Sequence, residues 1–378
     1  MGLNSIPPPV YLIDAALVTP LGMSVDENLQ ALIAGKSGID KINDNRFSKI
    51  ALPLGKIDDN YLLDADGQYL YGTRFDTLLM LCVAQLKAKS SIDFASNDVF
   101  IILSTTKGNI ELLDSNQPQD KLLLSYSANR VQTFFNNPNT PWIISNACIS
   151  GISAYVVAER LLSSQLYKHI VVIGCDVLTE FVISGFTSFH AISDEVCKPF
   201  DLHRKGISLG EACAASILSN TITSSILLKG GTISNDSNHI SGPSKTGEEL
   251  SFCIKNTLET VNVKSEDIDF ISAHGTATNY NDEMESLAIE KSNLSDALVF
   301  SLKANYGHTL GAAGILETVI AAESMKLGII LPSQGYNLHG VSGDIQVNKT
   351  LKHQHSQYAL KTGSGFGGCN ASLLLERV

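Results

Sequence analysis

The spacing of apolar and polar residues predicts alternating strands and helices along the first half of the chain. Continuous apolar runs, typical of strands buried on both faces, occur at 10–19, 99–106, 142–144 and 169–176. Apolar residues at helical spacing occur at 25–34, at 75–89 and from Ile149 onward. This order predicts an α/β unit built on a covered sheet.

A similar succession of elements follows in the second half. Two further strands, at 212–219 and 225–233, are predicted to close the first half. Beyond them, strands are predicted at 267–273, 297–303 and 371–377, and helices at 246–261, 284–291 and 312–327. Each half offers a strand, then a helix that begins with small residues, then further strands. We therefore expect two similar α/β units packed face to face. Residues 36–70 carry no clear pattern.

Composition and charge narrow the class of protein. Hydrophobic residues make up 44% of the 378 residues and charged residues 17%, which is typical of a compact globular chain with a large core. A net charge of −11, without a Lys or Arg cluster, argues against nucleic-acid binding. The seven cysteines include no Cys-x-x-Cys pair, which argues against a disulfide framework and against a zinc site. We therefore expect the protein to lie in the reducing cytoplasm. We expect no signal peptide and no membrane span.

Cys148 lies at the junction between the strand at 142–144 and the helix that follows. The free amides and the positive dipole end of a helix's first turn favour thiolate over thiol. Cys148 is therefore predicted to be a nucleophile. The alternative is that it is one more buried, unreactive cysteine.

Two histidines occupy equivalent junctions. His274 and His308 each follow a predicted strand and precede a predicted helix, and open α/β sheets present reactive groups at the carboxyl ends of their strands. Two histidines beside a cysteine can polarise a carbonyl, transfer a proton or stabilise an enolate. Each histidine alone could instead be a hydrogen-bonded structural residue, but three such junctions favour one shared site.

A set of motifs, in order along the chain, carries a family resemblance. The motifs are Asn146-Ala-Cys148, Pro199-Phe-Asp-Leu-His-Arg-Lys-Gly206 with Gly210-Glu211, His274-Gly-Thr-Ala-Thr278, Lys303-Ala-Asn-Tyr-Gly-His308, Gly311-Ala-Ala-Gly314 and Gly365-Phe-Gly-Gly368. Together they resemble the elongating β-ketoacyl-acyl carrier protein synthases. The resemblance implies a thiolase-like α/β fold of five αβαβα layers in two pseudo-duplicated halves. Residues 1–224 would carry the nucleophile, and residues 225–378 both histidines.

The resemblance also implies a reaction. Cys148 would take an acyl group as a thioester, and His274 and His308 would assist loss of carbon dioxide from malonyl-acyl carrier protein. The resulting enolate would attack the thioester and give a β-ketoacyl product. Substrates would arrive on the phosphopantetheine arm of acyl carrier protein, and neither a metal nor a redox cofactor is expected.

Further site residues follow from the same resemblance. The backbone amides of Cys148 and Phe366 match the family's oxyanion hole, and Phe366 matches its gating phenylalanine. Lys303 and Glu317 match an internal pair that orders the site, although Glu317 could instead be a solvated helix residue. The positions that match substrate contacts are Ser241, Thr276, Thr278 and Phe186. Asp282 and Glu285 match acidic residues behind the histidine loop, with structural capping as the alternative.

Neighbouring classes differ at the same positions. A thiolase of the degradative type would carry a second cysteine at His308, a starter-unit synthase would carry asparagine there, and a chain-length factor would lack Cys148. Departures from the family at Ser364 and His190 favour a specialised polyketide or aryl polyene pathway. The expected partners are acyl carrier protein and a second subunit, in a homodimer or a heterodimer. Two alternatives stay open: a chain-length-determining partner subunit that binds without catalysing, and an acyl-transfer protein that never decarboxylates malonyl.

Overall fold

The computed structural model describes residues 7–113, 115, 118–236, 242 and 244–378. Its strands are β1 (Tyr11–Val18), β2 (Asp40–Ile42), β3 (Leu52–Gly55), β4 (Val99–Ser104), β5 (Trp142–Ile144), β6 (His169–Asp176), β7 (Leu209–Gly210), β8 (Ala212–Ser219), β9 (Ile226–Asn235), β10 (Phe270–Ser272), β11 (Leu298–Phe300), β12 (Ile329–Ile330), β13 (Gln346–Val347), β14 (Lys352–His353), β15 (Tyr358–Gly365) and β16 (Cys369–Arg377). Its helices are α1 (Val25–Ile33), α2 (Arg74–Lys89), α3 (Leu124–Phe135), α4 (Ser150–Ser163), α5 (Glu180–Ser188), α6 (Glu248–Thr260), α7 (Asn279–Lys291), α8 (Lys303–Tyr306) and α9 (Ala313–Leu327).

The strand pairing repeats itself between the two halves. In the first half the strand order is β1-β8-β6-β4-β5, with two antiparallel pairings followed by two parallel ones. In the second half the order β9-β16-β15-β10-β11 has the same sequence of pairings. The two sets meet between β1 and β9, at Tyr11 and Leu227. The expectation of two similar units is therefore confirmed.

Alternate residues of the strands face different layers of helices. On β6, Val171 and Ile173 pack into the core beneath α2 and α3, whereas Ile170 and Val172 pack into the central core with α4 and α9. A third core lies beneath α6 and α7, on the outer face of the second set of strands. The order of layers is thus α2/α3, sheet, α4/α9, sheet, α6/α7. This is the predicted thiolase-like five-layered arrangement.

Some elements differ from those that the sequence predicts. The sequence predicts neither helices α3 and α5 nor strand β15. Helix α7 begins at Asn279, five residues before its predicted start. Helix α5 contains Gly185 and β-branched residues, which weaken the helical signal, and its start is fixed by the Thr179 hydroxyl, which accepts a hydrogen bond from the Val182 amide. Across the described residues, none of the helices has both the length and the apolar character needed to cross a bilayer. The division at residues 224 and 225 stays a prediction.

Candidate active site

Cys148 lies on a sharp turn between β5 and α4. The preceding residue, Ala147, has a φ of 43°, a left-handed conformation that is unfavourable for a residue with a side chain. Ser150 stabilises this turn because its hydroxyl accepts a hydrogen bond from the Asn146 amide (2.7 Å) and donates one to the Ala147 carbonyl (2.6 Å). The turn places the Cys148 side chain, 9% exposed, at the mouth of the central helix.

His274 follows β10 on a loop that is tied to α7. One carboxylate oxygen of Glu285 accepts a hydrogen bond from the His274 amide (2.8 Å) and the other from the Gly275 amide (2.7 Å). The Thr362 hydroxyl on β15 also donates to Glu285 (2.7 Å). Asp282 binds the next part of the loop through the amide of Ala277 (3.1 Å). Both acidic side chains are therefore fully buried anchors of the histidine loop.

His308 comes from the other side of the site, between α8 and α9. Its backbone amide donates to the carbonyl of Ser208 (2.7 Å), which fixes the chain direction before α9 begins. The side chain is 1% exposed, and within the described residues neither ring nitrogen has a hydrogen-bond partner. A buried polar group without a partner is unfavourable, so His308 is available to a bound molecule.

The fold brings the three predicted residues together. The Cys148 sulfur and a ring nitrogen from each of His274 and His308 all lie within 4.8 Å of one another. The two imidazole rings are perpendicular, with centroids 5.2 Å apart. Three such groups could in principle surround a metal ion, but the lysines described next oppose a cation there. The expectation of no metal stays a prediction.

A buried cluster of charges lies behind the histidines. Lys303 forms an ion pair with Glu317, as the sequence predicts, and Glu317 is 3% exposed, so the alternative of a solvated residue is wrong. Lys361 on β15 also pairs with Glu317, at 2.8 Å. One carboxylate between two ammonium groups leaves a net positive charge at this position.

The histidines are held uncharged. Burial holds the pKa of His274 and of His308 well below the ordinary value, and Lys303 and Lys361 lower both pKa values further because a second positive charge is unfavourable there. At neutral pH both rings are therefore neutral imidazoles. Each can donate a hydrogen bond from one nitrogen and accept a proton at the other.

The expectation of a thiolate at Cys148 is wrong. Burial and, to a smaller extent, the neighbouring Cys369 together raise the pKa of Cys148 to about 12, although Lys303 and Lys107 act in the opposite direction. The cost of burying the anion thus exceeds the stabilisation expected from the helix start. Cys148 is a thiol at rest, and its proton has to be removed during reaction.

A cavity of about 320 Å³ opens over these residues. Its lining includes Cys148, both histidines, Thr276, Thr278 and Phe186. Phe366 lies between two rings of the α5 segment, 5.5 Å from Phe186 and 5.3 Å from Phe189 between centroids. A side-chain carbon added to Gly365 would lie 3.0 Å from the Cys148 amide nitrogen, so the loop that carries Phe366 passes directly over Cys148.

Three of the four predicted substrate-contact residues line the cavity. Thr276 and Thr278 share a hydrogen bond of 2.9 Å at the cavity wall. Phe186 lines the same cavity and stacks on Phe366. Ser241 lies outside the described residues. The sequence does not indicate Lys361 as a site residue, because no strand is predicted over β15 and a lysine is normally exposed.

Comparison with known proteins agrees with this geometry. The family "Beta-ketoacyl synthase, N-terminal domain" matches residues 99–222, and "Beta-ketoacyl synthase, C-terminal domain" matches residues 226–337. The chain belongs to the β-ketoacyl synthase family. A relative along the whole length is the 3-oxoacyl-[acyl-carrier-protein] synthase 2 of Coxiella burnetii, 27% identical over 98% of both chains.

Solved β-ketoacyl synthase structures have the same fold. A chain in the complex of a ketosynthase with its chain length factor from Xenorhabdus doucetiae superposes with a TM-score of 0.88, at 23% identity over 98% of both chains. A chain in a complex of a type II acyl-carrier protein with its ketosynthase, bound to a hexaketide, superposes with a TM-score of 0.83, at 22% identity over 98% of this chain and 100% of that one.

Proposed function

We propose that this chain is a β-ketoacyl-acyl carrier protein synthase, which joins an acyl group held on Cys148 to malonyl-acyl carrier protein with loss of carbon dioxide. The observation that carries the proposal is the convergence of one thiol and two neutral imidazoles, within 4.8 Å, at the floor of a cavity. Membership of the β-ketoacyl synthase family supports it.

Acylation begins with the Cys148 sulfur attacking the thioester carbonyl. The thiol proton moves to a neutral ring nitrogen of His274 or His308 and then to the departing thiolate of the phosphopantetheine arm. The amides of Cys148 and Phe366 would bind the oxyanion, since the Phe366 loop passes over the Cys148 amide. Such a preorganised donor is worth about 3 kcal/mol in the transition state.

Condensation uses the same histidines as donors. When the bond to the malonyl carboxylate breaks, its electron pair forms an enolate, whose oxygen accepts hydrogen bonds from the N–H groups of His274 and His308. The enolate carbon then attacks the thioester carbonyl of acyl-Cys148. A carbon–carbon bond forms, the carbon–sulfur bond breaks, and the released Cys148 thiolate takes up a proton. The net positive charge of Lys303, Glu317 and Lys361 favours each anion along this path.

Acyl carrier protein and a second synthase-like subunit are the proposed partners. Solved structures of similar fold include a ketosynthase with its chain length factor and a ketosynthase with its carrier protein. The presence of Cys148 and both histidines favours a catalytic role for this chain over the chain-length-determining alternative. A polyketide or aryl polyene pathway, a cytoplasmic location and the absence of a cofactor stay predictions.

Intact-mass measurement tests the proposal. The purified protein and Cys148→Ala are each exposed to a panel of acyl-loaded carrier proteins, and malonyl carrier protein is then added. We expect the native chain alone to gain one acyl mass, and malonyl carrier protein to discharge it as a β-ketoacyl product that is two carbons longer.

Other results would exclude the proposal. A native chain that loads no acyl group from any donor, even with a partner subunit present, would support the chain-length-determining role. A chain that loads an acyl group but never consumes malonyl would support the acyl-transfer alternative. The Cys148→Ala control separates specific loading from nonspecific acylation of other side chains.

A further inference from the structure

Lys361 is a buried lysine for which the resemblance to the family gives no role. It lies on β15 opposite Ser272 of β10, in the parallel register of these two strands, and is 1% exposed. Its ammonium group donates to the carbonyl of Ser272 (2.9 Å) and to that of Thr362 (2.6 Å), and it pairs with Glu317 (2.8 Å). Burying an ammonium ion is unfavourable unless such partners surround it.

The position of Lys361 changes the charge of the whole cluster. Lys303 and Glu317 alone would form a neutral pair, through one of the two carboxylate oxygens of Glu317. Lys361 adds a second ammonium group to the same carboxylate, so the three residues together carry one positive charge.

The excess charge lies beside the catalytic histidines. Ser272, which accepts from Lys361, is two residues before His274. Thr362, the neighbour of Lys361, binds Glu285, which in turn accepts from the His274 amide. The described titratable groups that act on Lys361 and His274 from neighbouring elements are Glu317 on α9, Lys303 on α8, Glu285 on α7 and His308. The Cys148 sulfur lies within 4.8 Å of a ring nitrogen of each histidine.

We propose that Lys361 is a positioning residue whose ammonium group, held at Glu317, adds to burial and to Lys303 in opposing a positive charge on His274 and His308. With both rings neutral, each histidine keeps one nitrogen that can accept the thiol proton and one N–H that can donate to an enolate. Only the kinetic consequence rests on the proposed function. The charge state of the histidines does not depend on which reaction the chain catalyses.

The test is a titration of the histidine rings by NMR in protein with 13C-labelled histidine. Signals are assigned with His274→Asn and His308→Asn. Lys361→Met removes the charge, Lys361→Gln removes the charge but keeps a donor for the Ser272 carbonyl, and Lys361→Arg keeps the charge. We expect the pKa of both histidines to rise by on the order of one unit in the Met and Gln variants, and to stay near the native value in the Arg variant.

A kinetic measurement adds a second readout. If the proposed function holds, the acid limb of the pH profile for malonyl decarboxylation moves to higher pH by the same amount in the two neutral variants, and not in Lys361→Arg. A native chain that shows no decarboxylation, together with shifted histidines in the variants, would reject the proposed function and support the role of Lys361.

Unchanged histidine titration in a folded Lys361→Gln variant would overturn the inference, since Lys361 would then act only through its hydrogen bonds. Circular dichroism establishes whether each variant is folded. If Lys361→Met does not fold, the comparison of Lys361→Gln with Lys361→Arg decides between charge and structure.

Discussion

Gly151 of α4 and Gly314 of α9 bring the two central helices into direct backbone contact. A side-chain carbon on Gly151 would lie 2.8 Å from the Ile315 amide nitrogen and 3.0 Å from the Gly314 Cα. One on Gly314 would lie 2.6 Å from the Ile152 amide nitrogen. Because Cys148 precedes the first helix and His308 the second, this crossing sets the distance between nucleophile and histidine.

Substitution at this crossing is expected to disturb both stability and the site. Gly151→Ala or Gly314→Ala forces the helices apart, and such overpacking costs about 1–3 kcal/mol of the free energy of unfolding. We expect lower urea midpoints and slower acylation of Cys148. Gly185→Ala is the matched control, because nothing lies within 4 Å of a carbon added there. It should leave acylation unchanged and raise stability by about 0.5–1 kcal/mol. Equal effects at all three glycines would contradict the role of the crossing.

The buried carboxylate of Glu317 should be essential for stability. Glu317→Gln leaves Lys303 and Lys361 as two buried ammonium groups without a counter-charge, and removal of one partner from a buried ion pair costs about 3–5 kcal/mol. Thermal and urea unfolding measure this loss. Glu266→Gln provides the comparison, because the pair of Lys264 and Glu266 is 3.0 Å apart but largely exposed, and its loss should leave the unfolding midpoint close to the native value. A folded Glu317→Gln variant of native stability would contradict the charge arrangement.

The neutral histidines predict how stability depends on pH. Below their ordinary pKa of 6.5, the unfolded chain binds a proton on His274 and on His308, whereas the folded chain, in which both pKa values are lowered, does not. Above pH 6.5 both states leave the histidines neutral, and stability does not depend on them. As the pH is lowered below 6.5, the free energy of unfolding decreases by about 1.4 kcal/mol per pH unit for each histidine. Urea unfolding at several values from pH 7 to pH 5 measures the slope.

A histidine variant isolates this contribution. The double variant His274→Asn/His308→Asn should lose stability less steeply than the native chain over the same pH range. His353→Asn, at an exposed position on β14, should keep the native slope. If the free energy of unfolding depends on pH with the same slope in the double variant and in the native chain, neither His274 nor His308 is held neutral in the folded protein.

The resting thiol of Cys148 predicts its reactivity without substrate. With a pKa of about 12, the thiolate fraction rises tenfold per pH unit, so the rate of alkylation by iodoacetamide should rise in the same proportion from pH 7 to pH 10. Peptide mass spectrometry follows Cys148 separately from the other six cysteines, which are at most 3% exposed. A rate that reaches a plateau below pH 9 would indicate a thiolate-stabilising site and contradict this account.

The positions of the nucleophile and histidines could be predicted because the chain marks them locally. Cys148 and His274 each follow an apolar strand, and glycines and small residues surround all three side chains, so that sequence alone indicates their loops. His308 lies farther from its strand than predicted, because β11 ends at Phe300 and the short helix α8 comes between them. The long, strongly apolar strands and helices were predicted for the same reason. Their buried faces impose a regular pattern on the sequence.

What the sequence could not predict depends on contacts between distant segments. Lys361 is buried only because Glu317, 44 positions earlier in the chain, comes to lie beside β15. Strand β15 carries Lys361, Thr362 and Ser364 at positions that a buried strand normally fills with apolar residues. The predicted thiolate state of Cys148 was wrong for a related reason, since the depth to which a side chain is buried is a property of the assembled fold.

The most direct test of the central claim measures carbon dioxide and product together. The protein is loaded with its preferred acyl group and mixed with malonyl carrier protein labelled with 13C in the free carboxyl group. Labelled carbon dioxide is then counted against the β-ketoacyl group on the carrier, for the native chain and for Cys148→Ala. The account predicts one carbon dioxide for each ketoacyl product from the native chain, and no ketoacyl product without Cys148. Carbon dioxide release without a longer acyl chain, or the same product from Cys148→Ala, would contradict it.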